Sequence, residues 1–110
     1  MLIHPAIFDN EQFNCLENLE QLVLIKIISR LNNKSGMFFC KQETLLRFTG
    51  VSKKWLRKML FELNKKKWLL WKSGAGRGVV TQLKIGKELL TFYEKTGNHF
   101  KLRKNGNVDR

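Results

Sequence analysis

The chain has 110 residues and is 43% hydrophobic, enough for one compact domain without help from a metal or disulfides. Its 21 Lys and Arg against 9 Asp and Glu give a formal net charge of +12, which predicts a polyanionic partner. The start of the chain lacks the basic and apolar regions of a signal peptide, and the longest apolar stretch is too short to span a bilayer. We therefore expect a cytoplasmic protein without membrane contact.

The charge is concentrated in the middle of the chain. Residues 31–87 carry 14 bases and two acids, a net of +12, whereas residues 1–30 have a net charge of −2 and residues 88–110 a net charge of +2. A surface that binds nucleic acid is therefore expected within residues 31–87.

An apolar run over residues 19–31 predicts the first helix. Asn14 and Glu17 have the spacing of a capping box, which predicts a start near them, and the turn-forming residues 32–36 predict the end. The apolar residues occupy more than one face, so the helix is either central in the core or covered by a partner. The second alternative indicates a homodimer.

Three further elements are predicted after that turn. Residues 37–40 form a short apolar run typical of a strand, and residues 42–48 predict a short helix. Gly50 suits a turn that needs a left-handed residue, and Ser52 suits the N-cap of a helix over residues 53–66. The spacing of this last helix predicts a buried stripe, composed of Leu56, Met59, Leu60 and Leu63.

Two β-like runs, residues 68–72 and 79–85, flank a glycine-rich segment, residues 73–78, and predict a hairpin. Trp68 and Trp71 fall on opposite faces of a regular strand, and we interpret both as packing in the core or at the base of the hairpin. The fold class is therefore mainly α with a small β-hairpin (α+β).

The rest of the chain is a predicted helix over residues 87–95 followed by a polar stretch. We expect one domain over residues 1–95 and a basic, flexible tail over residues 96–110.

A short helix, a glycine turn and a cation-rich second helix form the pattern of a helix-turn-helix, and the hairpin behind it would be a wing. In that arrangement the second helix enters the DNA major groove. The residues predicted to contact DNA are Gln42, Thr44, Ser52, Lys53, Lys54, Trp55, Arg57, Lys58, Lys72 and Arg77.

These residues have different predicted roles. Arg57 is the best candidate for reading a base, because a guanidinium can bond a guanine edge twice, whereas Lys53, Lys54 and Lys58 suit phosphates. Trp55 either packs at the base of the wing, which we favour, or contacts a sugar or a thymine methyl. Arg77 either contacts DNA, which we favour, or is solvated.

Lys65, Lys66 and Lys67 close the second helix of the pattern. They are equally consistent with a favourable helix dipole and with phosphate binding.

Two families resemble this chain. Residues 18–69, with QETL in the short helix and GVS at the turn, resemble the winged-helix modules of plasmid and phage replication proteins. Residues 45–85 resemble the N-terminal DNA-binding domain of SgrR-type sugar-phosphate-stress regulators. The shared features are Ser52, Arg57, Trp68, Leu69, Trp71, Leu83 and the AGRG turn over residues 75–78.

The resemblance implies a winged helix-turn-helix that binds DNA through its recognition helix and wing. SgrR-type regulators continue into a solute-binding domain, whereas this chain ends at Arg110. We therefore expect no small-molecule ligand.

The favoured function is sequence-specific binding of double-stranded DNA by a small transcriptional regulator, with residues 52–66 in the major groove and residues 73–78 on the backbone or minor groove. The alternatives are a DNA-binding factor in plasmid or phage replication or maintenance, and a winged-helix module that binds another protein. Salt-sensitive DNA affinity distinguishes the last from the others.

An enzyme is not expected, because no paired carboxylates, nucleophile–base set or phosphate-binding loop is present. Cys15, Cys40, His4 and His99 lack the spacing of metal ligands, so we expect no cofactor and two reduced, partly buried thiols.

Overall fold

The architecture is a bundle of helices packed against one small sheet. The computed structural model describes residues 3–72 and 80–96. The elements are a 3-10 helix (Pro5–Asp9), α1 (Glu11–Asn14), α2 (Asn18–Ile28), β1 (Met37–Lys41), α3 (Gln42–Thr49), α4 (Lys53–Lys65), β2 (Leu69–Lys72), β3 (Val80–Ile85) and α5 (Lys87–Thr96). The wing segment, residues 73–78, lies outside the described residues, as does the predicted tail beyond Thr96.

The three strands form an antiparallel sheet in the order β1-β3-β2. The predicted α+β class is confirmed, but the predicted hairpin is one part of a larger sheet, since β1 pairs along the free edge of β3. Phe38 lies opposite Leu83 and Cys40 opposite Thr81. These four side chains share the inner face of the sheet, because side chains alternate along a strand. Pairing with β1 therefore extends the apolar layer beyond the hairpin.

The first predicted helix, α2, begins at Asn18, and its N-cap is Glu17 rather than Asn14. Its capping box joins Glu17 to Glu20, and the Glu17 backbone N–H donates to Glu20 Oε1 at 3.0 Å. The prediction that Asn14 and Glu17 form the box was wrong. Asn14 ends α1, and its side-chain amide donates to the Phe8 carbonyl oxygen at 3.1 Å.

The core is centred on α2, whose Val23, Leu24, Ile27 and Ile28 are all fully buried within this one chain. Most of the apolar surface that suggested a partner is therefore covered by the chain itself. Leu22 remains exposed, and the homodimer stays a prediction.

The N-terminal turns were not predicted, yet they cover one end of the core with Ile7 and Phe13. His4 Nδ1 accepts the Ala6 backbone N–H at 3.1 Å, and Asn10 Oδ1 accepts the Phe13 backbone N–H at 2.8 Å. Side-chain caps of this kind satisfy the N–H groups that a helix leaves unpaired at its first turn. They stabilise elements too short to show a helical period in the sequence.

An ion pair between a buried carboxylate and an exposed lysine connects α2 to the end of α4. The Glu20 carboxylate is almost fully buried, and Lys66 Nζ lies 2.9 Å from its Oε1 and 3.1 Å from its Oε2. The hydrogen bond to this carboxylate raises the pKa of Lys66. Residues 65–67 were explained from the sequence by the helix dipole or by phosphate binding, and neither explanation includes this ion pair, which gives Lys66 a structural role.

The sheet meets α5 at Gly86. The Gly86 backbone N–H donates to the Trp68 carbonyl oxygen at 2.9 Å, and the Glu88 N–H donates to the Lys67 carbonyl oxygen at 2.8 Å. A Cβ at Gly86 would lie 2.4 Å from the same Lys67 oxygen and 2.6 Å from the Trp68 carbonyl carbon. Only glycine allows the two backbones to approach this closely.

Both cysteines are free. The expected partial burial is confirmed for Cys40. Burial raises the pKa of this thiol, and the positive charge of Arg30 offsets part of that rise. The same expectation was wrong for Cys15, which follows the short helix α1 and is exposed. Within residues 3–72 and 80–96, no three His, Cys, Asp or Glu cluster as metal ligands, and no helix is long and apolar enough to cross a membrane.

Candidate nucleic-acid interface

The predicted turn between α3 and α4 is present, and several hydrogen bonds hold it. Gly50 adopts the left-handed conformation with φ of 75°, and its N–H donates to the Leu46 carbonyl oxygen at 3.0 Å. The Thr49 hydroxyl donates to the Leu45 carbonyl oxygen at 2.7 Å, and Lys26 Nζ on α2 donates to the Thr49 carbonyl oxygen at 3.3 Å. These bonds satisfy the carbonyl groups at the end of α3 and fix the angle at which α4 leaves it.

The second helix of the predicted helix-turn-helix, α4, begins as predicted after Ser52 at the N-cap. The Ser52 carbonyl oxygen accepts the Leu56 N–H at 2.8 Å, while its side chain makes no capping hydrogen bond. Ser52, Lys53 and Lys54 are all exposed. The first turn of α4 therefore exposes backbone N–H groups and cationic side chains next to each other, which suits a phosphate.

The predicted buried stripe of α4 is confirmed in full, at Leu56, Met59, Leu60 and Leu63. Because successive residues are rotated by about 100°, the opposite side of the helix carries another set, which we term the outward stripe. The outward stripe consists of Lys54, Lys58, Phe61 and Lys65, and all four are exposed.

The side of α4 next to the sheet is attached to the base of the wing. The Trp71 backbone N–H, on β2, donates to Asn64 Oδ1 at 3.0 Å, and the Arg57 guanidinium carbon lies 5.7 Å from the centroid of the Trp71 ring. The second contact is a cation–π interaction. The predicted packing roles of Trp68 and Trp71 are confirmed, since Trp68 is buried and Trp71 is half-buried against the core.

The other side of α4 carries Trp55. We had expected this residue to pack at the base of the wing, and that expectation was wrong. Its side chain is 46% exposed, with Lys58 Nζ 4.9 Å from the ring centroid. On a helix, residue 55 lies about 100° before Leu56, and therefore on the side away from Arg57 and the wing.

The sequence model of the family described as "Sugar transport-related sRNA regulator N-term" matches residues 41–102, which is more than half of the chain. The chain belongs to this family. The match confirms the resemblance to SgrR-type regulators, and no curated protein matches the sequence.

Two solved structures share the fold of this SgrR-type domain. "N-Terminal domain of DNA binding protein" has a TM-score of 0.57 and 20% sequence identity, over 88% of this chain and 85% of that one. NadR in complex with 4-hydroxyphenylacetate has a TM-score of 0.50 and 18% identity, over 84% of this chain and 58% of the NadR chain. The family and the fold together identify a winged-helix DNA-binding domain of a regulator.

The SgrR-type domain brings most of the predicted site residues onto one element. The residues of the recognition helix and its N-cap are exposed together: Ser52, Lys53, Lys54, Trp55, Arg57 and Lys58. Gln42 and Thr44 are half-buried at the start of α3. Lys72 follows Trp71 in β2 and so lies on the opposite, outer face of the sheet, away from that group. Arg77 lies outside the described residues.

Sequence reasoning missed one exposed residue of this helix, Phe61. It is 56% exposed, and it lies seven residues after Lys54 and three after Lys58. That spacing places it on the outward stripe and was the signal available in the sequence.

Proposed function

We propose that the chain recognises a specific double-stranded DNA sequence by inserting α4 into the major groove, and that it acts in this way as a transcriptional regulator. The observation that carries the proposal is the charge of the exposed helix. The outward stripe and the side of α4 next to the wing hold cations and no acid, the cations being Lys53, Lys54, Arg57, Lys58 and Lys65. Glu62 lies on the far side, within 4.0 Å of Lys66.

Arg57 is the proposed base reader. Its guanidinium presents a planar fork of donors that fits a guanine edge. The contact with Trp71 restricts the rotamers of the long side chain, so less conformational entropy remains to be lost when DNA binds. Lys53, Lys54 and Lys58 have no such support from the sheet, and we assign them to phosphates, where geometry matters less.

The sheet favours a role for the wing on the same duplex. Lys41, the last residue of β1, lies opposite Val80, the first residue of β3. The start of α3 therefore lies at the end of the sheet where β2 ends and β3 begins. We propose that Gln42 and Thr44 contact the DNA backbone there and that Arg77 contacts the backbone or the minor groove.

The test compares three variants on the preferred site and on random duplex DNA. Arg57→Ala should lose about 1–3 kcal/mol on the preferred site and relax the preference at one base pair. Lys53→Ala should weaken both DNAs equally and lower the slope of log affinity against log salt by about one.

The matched control is Lys34→Ala, which removes the same charge from an exposed turn. The neighbouring Gly36 carbonyl oxygen accepts the Ile85 N–H at 2.8 Å, so this turn lies at the end of the sheet away from the wing. The control should retain wild-type affinity. Equal losses for Arg57→Ala on preferred and random DNA would contradict its role as a base reader, and affinity without salt dependence would favour the protein-binding alternative.

A further inference from the structure

We propose that Phe61 contacts the C5 methyl group of a thymine in the major groove, and that it thereby determines part of the DNA sequence preference. This inference rests on the proposed function, since it requires α4 to lie in the groove. It adds an apolar specificity contact to a surface that is otherwise composed of cations.

Phe61 is a large apolar side chain that the core does not use. Its ring is 56% exposed, while the buried stripe of α4 is complete on the opposite side of the helix. Among residues 3–72 and 80–96, no aromatic ring or cation lies against it. By contrast, the exposed Trp55 is covered in part by Lys58, and the exposed Phe8 packs edge-on against Phe13 at 6.0 Å.

The neighbours of Phe61 indicate what its ring would meet. Lys54, Lys58 and Lys65 share the outward stripe with it, and they disfavour an apolar protein surface or a second copy of the same helix, because three like charges would be desolvated together. The same lysines favour a duplex, whose phosphates flank both sides of the groove.

A phenyl ring neither donates nor accepts ordinary hydrogen bonds. Of the groups on the base edges in the major groove, the thymine C5 methyl is the one that suits an apolar side chain. Phe61 lies about 4.5 Å along the helix axis from Lys58, since each residue rises about 1.5 Å. The contacted thymine is therefore expected close to the part of the duplex that Lys58 contacts.

The experiment uses the preferred duplex recovered by selection, with each thymine replaced in turn by deoxyuridine, which removes only the methyl group. Wild-type protein should lose affinity about fourfold at one position, the effect expected when one methyl-sized group is no longer buried. Phe61→Ala should bind the thymine duplex more weakly and show no discrimination at that position. Phe61→Leu, which keeps an apolar side chain, should retain part of it.

Phe39→Ala is the matched control. Phe39 is also 56% exposed, but it alternates with the inward-facing Phe38 and lies on the outer face of the sheet. This variant should discriminate as the wild type does.

Two results overturn the inference while leaving the proposed function in place. One is wild-type protein that binds all deoxyuridine duplexes equally well. The other is a Phe61→Ala protein that keeps the wild-type ratio of affinities for the thymine and deoxyuridine duplexes. Loss of that ratio in Trp55→Ala would then assign the methyl contact to Trp55. Failure of selection to recover any preferred duplex instead overturns the proposed function itself, before the deoxyuridine series begins.

Discussion

Substitution of Gly86 by alanine tests the close approach between the sheet and α5. The added Cβ would lie 2.4 Å from the Lys67 carbonyl oxygen, 2.6 Å from the Trp68 carbonyl carbon and 2.8 Å from the Leu69 nitrogen. All three atoms belong to the backbone, so no side-chain rotation can relieve the overlap. The start of β2 and the start of α5 must move apart by several tenths of an ångström at least, and hydrogen bonds between them lengthen.

We expect Gly86→Ala to lower the free energy of unfolding by about 3 kcal/mol, the upper part of the range for overpacking. In a domain of this size that corresponds to a fall in Tm of about 12 °C or more. The assay is urea-induced unfolding followed by circular dichroism, in which the midpoint should fall while the slope against urea stays unchanged.

Gly50→Ala is the comparison for this prediction. Gly50 requires a positive φ, but a Cβ there would have only Lys26 Nζ as a neighbour, at 3.9 Å. The cost is therefore the left-handed conformation, about 1 kcal/mol after the smaller entropy of the unfolded chain is counted. A midpoint for Gly86→Ala equal to that of the wild type, or above that of Gly50→Ala, would refute the argument from close packing.

Two further predictions concern the ionisable groups of the core. Lys66→Ala leaves the buried Glu20 carboxylate without its cation and should lower the free energy of unfolding by about 1–2 kcal/mol. This is less than for a fully buried pair, because the Lys66 side chain is 39% exposed. Lys65→Ala, on the outward stripe, should change it by less than about 0.5 kcal/mol in the same urea-unfolding assay. Burial raises the pKa of Tyr93 to about 12 from its ordinary value of 10.0, so the folded state holds the phenolic proton more tightly than the unfolded state does. The resulting stability is fully present below pH 10 and is lost as the pH rises towards 12. Unfolding of the wild type at pH 9 and pH 11.5 should show this loss, about 2–3 kcal/mol at most, and Tyr93→Phe should show much less of it; an equal loss in both proteins would assign the alkaline sensitivity to other groups.

Local periodicity in the sequence was enough to predict α4. Leu56, Met59, Leu60 and Leu63 recur at spacings that only a helix places on one side, and Gly50 suits the left-handed turn before them. Both follow from interactions among residues close in the chain, which the sequence displays directly.

Contacts between distant residues could not be predicted in this way. The capping box shows the difference, because Asn14, Glu17 and Glu20 follow one another at the same three-residue spacing and allow two overlapping boxes. The box that forms contains Glu20, whose carboxylate is also held by Lys66, 46 residues further on. Nothing in the local sequence indicates that partner.

The functional helix shows the same limit. Its exposed residues could be predicted as a group, but Trp55 was placed on the wrong side, because its contacts depend on how α4 lies against the sheet. The contacts of Arg57 and Asn64 with Trp71 are set by that same packing. Exposure of Phe61, by contrast, could have been predicted, because its spacing from Lys54 and Lys58 places it opposite the buried stripe.

The most direct test of the central claim is selection of bound fragments from random duplex DNA, followed by binding of the selected duplexes at two salt concentrations. We predict a recovered sequence motif, preference for it over random DNA, and affinity that falls steeply as salt increases. A palindromic motif would further indicate a homodimer. Absence of DNA binding even at low salt would contradict the account, and the protein-binding alternative would then be favoured.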